Sequence, residues 1–262
     1  MRAVSVHRDA LVVTSRMWQT TATALRAGGE AVLIDSPYFP DELEALPALL
    51  AQAGFEPDGQ LATHGDFDHL LGRLAFPGLA LGVGEATALR LRGEPGAAQR
   101  ELRDHDDEHY VTRTAPLSLG AVQALPVPGR LDLGEAELEL HPAEGHTADG
   151  CAVFARALRV LAVGDYLSDV EIPMISEGGS LADYRATLAR LAPLVAEAET
   201  VVPGHGSPHD RDTAHRILDE DVEYLDALER GEERPALPAG RATKPQRGLH
   251  AENLRRTFAG TG

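Results

Sequence analysis

Six consecutive residues, His64-Gly65-Asp66-Phe67-Asp68-His69, carry four side chains able to bind a metal ion. Two imidazoles and two carboxylates in so short a stretch suit zinc, iron or manganese. In a tight loop, His64 and Asp66 project to one side. Asp68 and His69 reach a second position, where a helix begins at LLGRL. The bland reading of the segment is a solvated acidic loop. Three further positions weigh against it, each following a β-rich run and adjoining glycine: His146 in EGHTADG, Asp165 in VGDYL and His205 in VPGHGSP. Glycine at a strand end lets the chain turn sharply and leaves the neighbouring side chain at the sheet edge. Singly, each is an ordinary turn residue. With the hexapeptide they form a set of seven donors, enough for two ions.

The elements that must position these donors alternate along the chain. Residues 4–6 and 11–14 read as a hairpin-like start, and 31–35 (AVLID) as a buried strand ending in a carboxylate. Leucines at 43, 46, 49 and 50 have helical spacing, with Pro47 a potential kink. Residues 60–63 form a short strand leading directly into the hexapeptide, followed by a strand at 79–83 and a helix at 85–92. Further strands are expected at 122–127, 136–141, 151–155, 160–163 and 200–203. The helix at 180–198 opens on Ser180 and Asp183, a capping-box pattern, and 211–230 is amphipathic. Residues 93–116 are polar and read as an exposed, partly helical insertion. His105, Asp106, Asp107 and His109 within it resemble ligands by type but read as a solvated face. His141 and His209 read as supporting residues. The expected organisation is one domain over 1–230, with a C-terminal extension over 231–262 packed on it as a helix or folded over the site as a clamp. Two sheets packed face to face with helices outside fit this order.

Composition narrows the function classes. The chain has 262 residues, 43% hydrophobic and 25% charged, which is globular composition. Its 24 basic and 41 acidic residues give a net charge of −17, which disfavours nucleic acid as a partner. No stretch has the length and apolarity of a membrane span. The single cysteine, Cys151, reads as a core residue. With no leader pattern visible, the expectation is a soluble cytoplasmic protein acting on a small molecule. The size is compatible with a homodimer.

The motif order, a strand ending in Asp35, then the hexapeptide, GHT, GD and GHG, resembles the metallo-β-lactamase superfamily over roughly residues 1–210. The resemblance implies an α/β (α+β) fold, the four-layer αββα sandwich, with metals at the sheet edges. His64, Asp66 and His146 would hold one ion, and Asp68, His69 and His205 the other. Asp165 would bridge the two, and Asp35 would brace the ligand loop. One position departs from the pattern: Asp66 stands where the superfamily usually has histidine. A third carboxylate makes the site less positive and favours harder ions. The implied activity is that of a hydrolase with a binuclear site, of the glyoxalase II-like or lactonase-like kind. It would use a bridging water or hydroxide to cleave an ester, thioester or lactone. The implied cofactors are two divalent metal ions, zinc foremost, with iron or manganese admitted by Asp66. Asp68 would carry the proton to the leaving group, and Tyr166 would donate a hydrogen bond to the substrate. Two other readings stay open. One is an iron-dependent redox enzyme of the same fold, because diiron members carry glutamate at the Asp66 position. The other is a non-catalytic metal-binding module. Metal content separates them.

Overall fold

A computed structural model describes residues 1–258. The last four positions of the expected tail, 259–262, lie outside the described residues. The chain begins as an antiparallel meander: β1 (Arg2–His7), β2 (Ala10–Thr14), β3 (Thr21–Ala27) and β4 (Glu30–Asp35). It then changes direction. Helix α1 (Pro40–Gln52) leads to β5 (Gly59–Ala62), which lies parallel to β4. A 3-10 turn at Phe67–His69 and the short α2 (Gly72–Ala75) lead to β6 (Ala80–Gly84). Helices α3 (Glu85–Gly93) and α4 (Ala97–Glu108) precede β7 (Val122–Leu125), and β5, β6 and β7 are mutually parallel. The seven strands lie in sequence order.

The second sheet is built from β8 (Gly129–Leu133), β9 (Ala136–Pro142), β10 (Cys151–Ala155) and β11 (Val160–Ala162). Helix α5 (Leu181–Glu197) separates them from β12 (Thr200–Val202) and β13 (His209–Asp210), and α6 (Arg211–Glu229) and α7 (Lys244–Phe258) follow. The strand order is β13-β12-β11-β10-β9-β8. Ser180 caps α5 as its sequence suggests, accepting from the Asp183 amide at 3.1 Å.

Three apolar layers define the sandwich. Val12, Leu25, Val32 and Ile34 of the first sheet meet Leu138, Leu140, Val153 and Val160 of the second. On the outer face of the first sheet, Ala22 and Leu33 pack under Leu46 and Leu50 of α1. On the outer face of the second, Phe154 and Leu161 pack under Leu188, Leu191 and Ile217. The order is therefore helix, sheet, sheet, helix. Both sheets are buried on two faces, so their central strands read as continuous apolar runs.

The structure corrects several expectations. Strands β3 and β8 were not evident from the sequence. Helix α1 continues through Pro47. Residues 93–116 are no loose insertion: Ala98 and Leu102 of α4 and Leu117 join the core. Asp106 is not solvated. It is buried, accepts from the Tyr38 hydroxyl at 2.7 Å, and takes two hydrogen bonds from Arg113 at 2.7 and 3.0 Å. His209 is buried as well.

The tail covers the second helical layer. Arg241 is 1% exposed and pairs with Asp221 and Glu220 of α6. Gln246 and Asn253 of α7 accept from the Ile172 and Ile175 amides, at 2.8 and 2.9 Å. The tail thus fixes the loop over 171–178. Among the described residues, no helix is long and apolar enough to cross a membrane.

Candidate metal centre

The donors converge at one end of the sandwich. Asp35, at the end of β4, sits in a left-handed backbone conformation, φ 57°. Its carboxylate accepts from the Thr63 amide at 2.8 Å and the Thr63 hydroxyl at 2.9 Å. It also lies 3.1 Å from Nδ1 of His69. One carboxylate therefore ties the start of the ligand loop to its last histidine. On the second sheet, His146 is fixed from both sides. The Met174 carbonyl lies 2.9 Å from its Nδ1, and its amide donates to the Tyr166 hydroxyl at 2.9 Å. His205 reaches the cluster because Gly204 precedes it. A Cβ on Gly204 would collide with the Asp165 carboxylate and would come within 2.8 Å of the His69 ring.

All seven expected donors meet. One group comprises His64, Asp66 and His146, and a second comprises Asp68, His69 and His205. Within each, the donor atoms lie within 4.8 Å of one another. Asp165 stands between the groups, with its oxygens 3.1–3.7 Å from Nε2 of all four histidines. Nε2 of His64, His69 and His146 is buried and has no hydrogen-bond partner. Unpaired buried nitrogens facing three carboxylates are costly for a protein alone. The same arrangement is what a divalent cation requires, and the donor set fits one or two such ions.

The electrostatics agree. Burial alone lowers an imidazole pKa. Here the Asp165 and Asp66 charges more than reverse it and bring His146 to about 9. Asp165 and Glu171 likewise overcome burial and bring His205 to about 10. Burial pushes Asp66 and Asp165 upward, but the surrounding imidazoles win and hold both well below the usual carboxylate range. The site is a buried concentration of negative charge that binds protons when nothing stronger competes.

A cleft of about 1050 Å³ opens above the donors. Its walls include Trp18, Phe67, Arg90, Glu101, Glu171 and Arg256. Trp18 is 38% exposed and stands on the β2–β3 turn with φ 49°, its ring 4.2 Å from that of His105. Tyr166 does not line this cleft. It is 2% exposed, and its hydroxyl, besides accepting from His146, donates to the Ala143 carbonyl at 3.1 Å. It supports the His146 turn, in place of the substrate contact expected for it.

Four residues at the site escaped the sequence reading. Asp149 lies inside the quoted EGHTADG segment and accepts from the Gly65 amide at 2.9 Å. Arg90 of α3 pairs with both Asp66 and Asp149 at 2.8 Å. Glu171 is a half-buried carboxylate of the cleft whose pKa burial raises. Trp18, the single tryptophan, is the fourth; its turn position was the one available signal.

Comparison with known proteins gives the same architecture. The family model of the metallo-β-lactamase superfamily matches residues 16–205. The chain belongs to this superfamily. It is similar to an acyl-coenzyme A thioesterase of Gallus gallus, 29% identical over 196 residues that cover 67% of this chain and 69% of that one. Among solved structures, a metallo-β-lactamase family protein of Thermus thermophilus superposes with a TM-score of 0.70 at 20% identity, over 95% of this chain and 92% of that chain. Another solved structure, of the protein TTHA1623 in a di-iron-bound form, has a TM-score of 0.63 at 25% identity, over 79% of this chain and 97% of that chain.

Proposed function

We propose that the protein is a metal-dependent hydrolase with a binuclear site that cleaves an ester, thioester or lactone bond of a small molecule. The observation that carries this reading is the pair of donor groups sharing Asp165 at the foot of the cleft. Membership of the superfamily and the similarity to a thioesterase support hydrolysis as the chemistry.

His64, Asp66 and His146 would hold one ion and Asp68, His69 and His205 the other, with Asp165 shared. Two divalent ions there supply Lewis acidity and lower the pKa of water. The remaining work falls to the chain. Asp68 faces the cleft from the donor layer, and its backbone carbonyl accepts from Ser36 at 3.0 Å. It can take a proton from the attacking water and return it to the leaving oxygen or sulfur. Trp18, Phe67 and Met174 form the apolar surface for an acyl group. Glu94, Glu101 and Glu177 on the rim oppose a polyanionic carrier or nucleic acid, so a compact neutral thioester, ester or lactone is favoured.

A second reading, an iron-dependent redox enzyme, is favoured by one observation. The third carboxylate, Asp66, makes the donor set harder, and a similar protein has been solved with two irons. Elemental analysis of protein purified without chelators, followed by a screen of thioesters, esters and lactones, tests both. About two zinc or manganese ions per chain with turnover of any of these classes supports the hydrolase. About two irons with oxygen consumption and no hydrolysis overturns it in favour of the redox reading.

A further inference from the structure

Asp66 differs from the other two carboxylates of the centre in carrying a cation of its own. Its Oδ1 lies 2.8 Å from Nη1 of Arg90. Its Oδ2 faces the other way, 3.4 Å from Nε2 of His146 and 3.6 Å from Nε2 of His64. The two oxygens are thus divided between a guanidinium and the donor group. Among the described residues no such partner sits on Asp68 or Asp165, whose charged neighbours are histidines.

Arg90 is itself held in place. Its Nη1 donates to Asp149 Oδ1 at 2.8 Å, and Asp149 Oδ2 accepts from the Gly65 amide at 2.9 Å. The Asp149 carbonyl accepts from Thr87 of α3 at 2.7 Å. The chain closes a loop: α3, the turn after His146, and the backbone between His64 and Asp66. Gly65 permits it, because a Cβ there would come within 2.9 Å of Asp149 and 3.4 Å of Arg90. Three segments meet at Arg90 and Asp149, which is more than a surface ion pair requires.

We infer that Arg90 converts Asp66 into a one-oxygen ligand, so that Asp66 held by Arg90 offers a metal a single donor atom, as a histidine nitrogen would. The guanidinium occupies Oδ1 and leaves Oδ2 for the ion. Three ligand carboxylates against two divalent ions leave a formal charge of about +1, and Arg90 and Asp149, paired with each other, leave it there. Arg90 is a positioning residue, and Asp149 fixes it. This role rests on the metal reading above. It has a consequence that a merely structural arginine would not: positions 66 and 90 are coupled in metal affinity, with a change of sign.

The test is a double-mutant cycle read by zinc affinity, measured by competition with a chromophoric chelator on wild type, Arg90→Met, Asp66→His and the double variant. Thermal unfolding of each metal-free form checks folding. In the native background, Arg90→Met frees both oxygens of Asp66 and lowers affinity about tenfold or more. With Asp66→His alone, a cation faces a neutral ligand and affinity falls. Adding Arg90→Met to Asp66→His then restores at least about tenfold of that affinity. Equal effects of Arg90→Met in both backgrounds overturn the inference while leaving the metal reading intact. A wild type that takes up no zinc, manganese or iron overturns both. If Arg90→Met fails to fold, Arg90→Lys replaces it. Lysine keeps the charge but loses the planar guanidinium that holds Nη1 between the two carboxylates, and the same sign reversal, smaller, is expected.

Discussion

The two donor groups look alike in composition, one carboxylate and two imidazoles each, yet their surroundings are opposite in charge. Around His64, Asp66 and His146 the nearest outer group is a guanidinium, and Asp66 is 23% exposed at the cleft. Around Asp68, His69 and His205 the nearest outer group is another carboxylate, Asp35, and His69 is fully buried. Arg90 is shared with Asp149, so the first half carries a paired outer charge and the second an outer carboxylate. Outer groups position the ligands of each half as well as charging them.

The largest effect breaks the comparison altogether. Asp165 belongs to both halves, so Asp165→Ala should reduce metal content from about two ions per chain to below about half an ion. Hydrolysis should fall by at least about 10³-fold, as elemental analysis and steady-state kinetics would show. Next in size is the asymmetry itself. Asp68→Asn should weaken zinc binding at least about tenfold more than Asp66→Asn, because only Asp68 lacks a cation of its own. Equal losses in a chelator competition would show that the outer charges do not matter.

The pH dependence sharpens the same point. His146 and His205, brought to about 9 and about 10 in the folded chain, stand above the ordinary imidazole value of about 6.5. Their protonation stabilises the metal-free fold fully below about 6.5, and this contribution is lost as pH rises through about 9 and about 10. Asp66 and Asp165 act at the other end. Held well below 3.8, they stabilise above that value and lose their contribution as pH falls through their lowered values. Chelator-treated protein should therefore lose unfolding temperature from neutral to alkaline pH. Zinc-loaded protein, whose histidines must be neutral to bind, should not. The smallest effect lies in the cleft wall. Trp18→Ala removes apolar contact surface and should raise KM about three- to tenfold with kcat nearly unchanged.

Much of the centre was legible because its donors are dense in sequence and sit beside glycines. His64, Asp66, Asp68 and His69 lie within one loop, and His146, Asp165 and His205 each mark a strand end. What was not legible came from a distance. Arg90 is one arginine among several in a polar helical stretch, and only the fold brings it 2.8 Å from Asp66. Asp106 looked like a surface carboxylate because its partners, Tyr38 and Arg113, are remote or follow an irregular turn. Strand β3 went unseen because TATALRA holds a single large apolar residue, Leu25, so no apolar run stands out although the strand is buried. Tyr166 looked catalytic by adjacency to Asp165, but the chain bends there, its amide donating to the Gly164 carbonyl at 2.8 Å, and its hydroxyl points into the His146 turn.

Arg241 ties the tail to the loop beneath the donor cluster, donating to the Glu171 carbonyl at 3.0 Å. It follows all seven donors along the chain, and it neutralises Asp221, which is placed in α6 twenty residues earlier. Without the tail, α6 carries an uncompensated carboxylate in its core, and the loop over 171–178 lacks the anchors of Gln246 and Asn253. That loop supplies the Met174 carbonyl beneath His146. The residues that position His146 therefore lie far beyond the last donor in the chain, and the C-terminal helices are part of the donor cluster's frame.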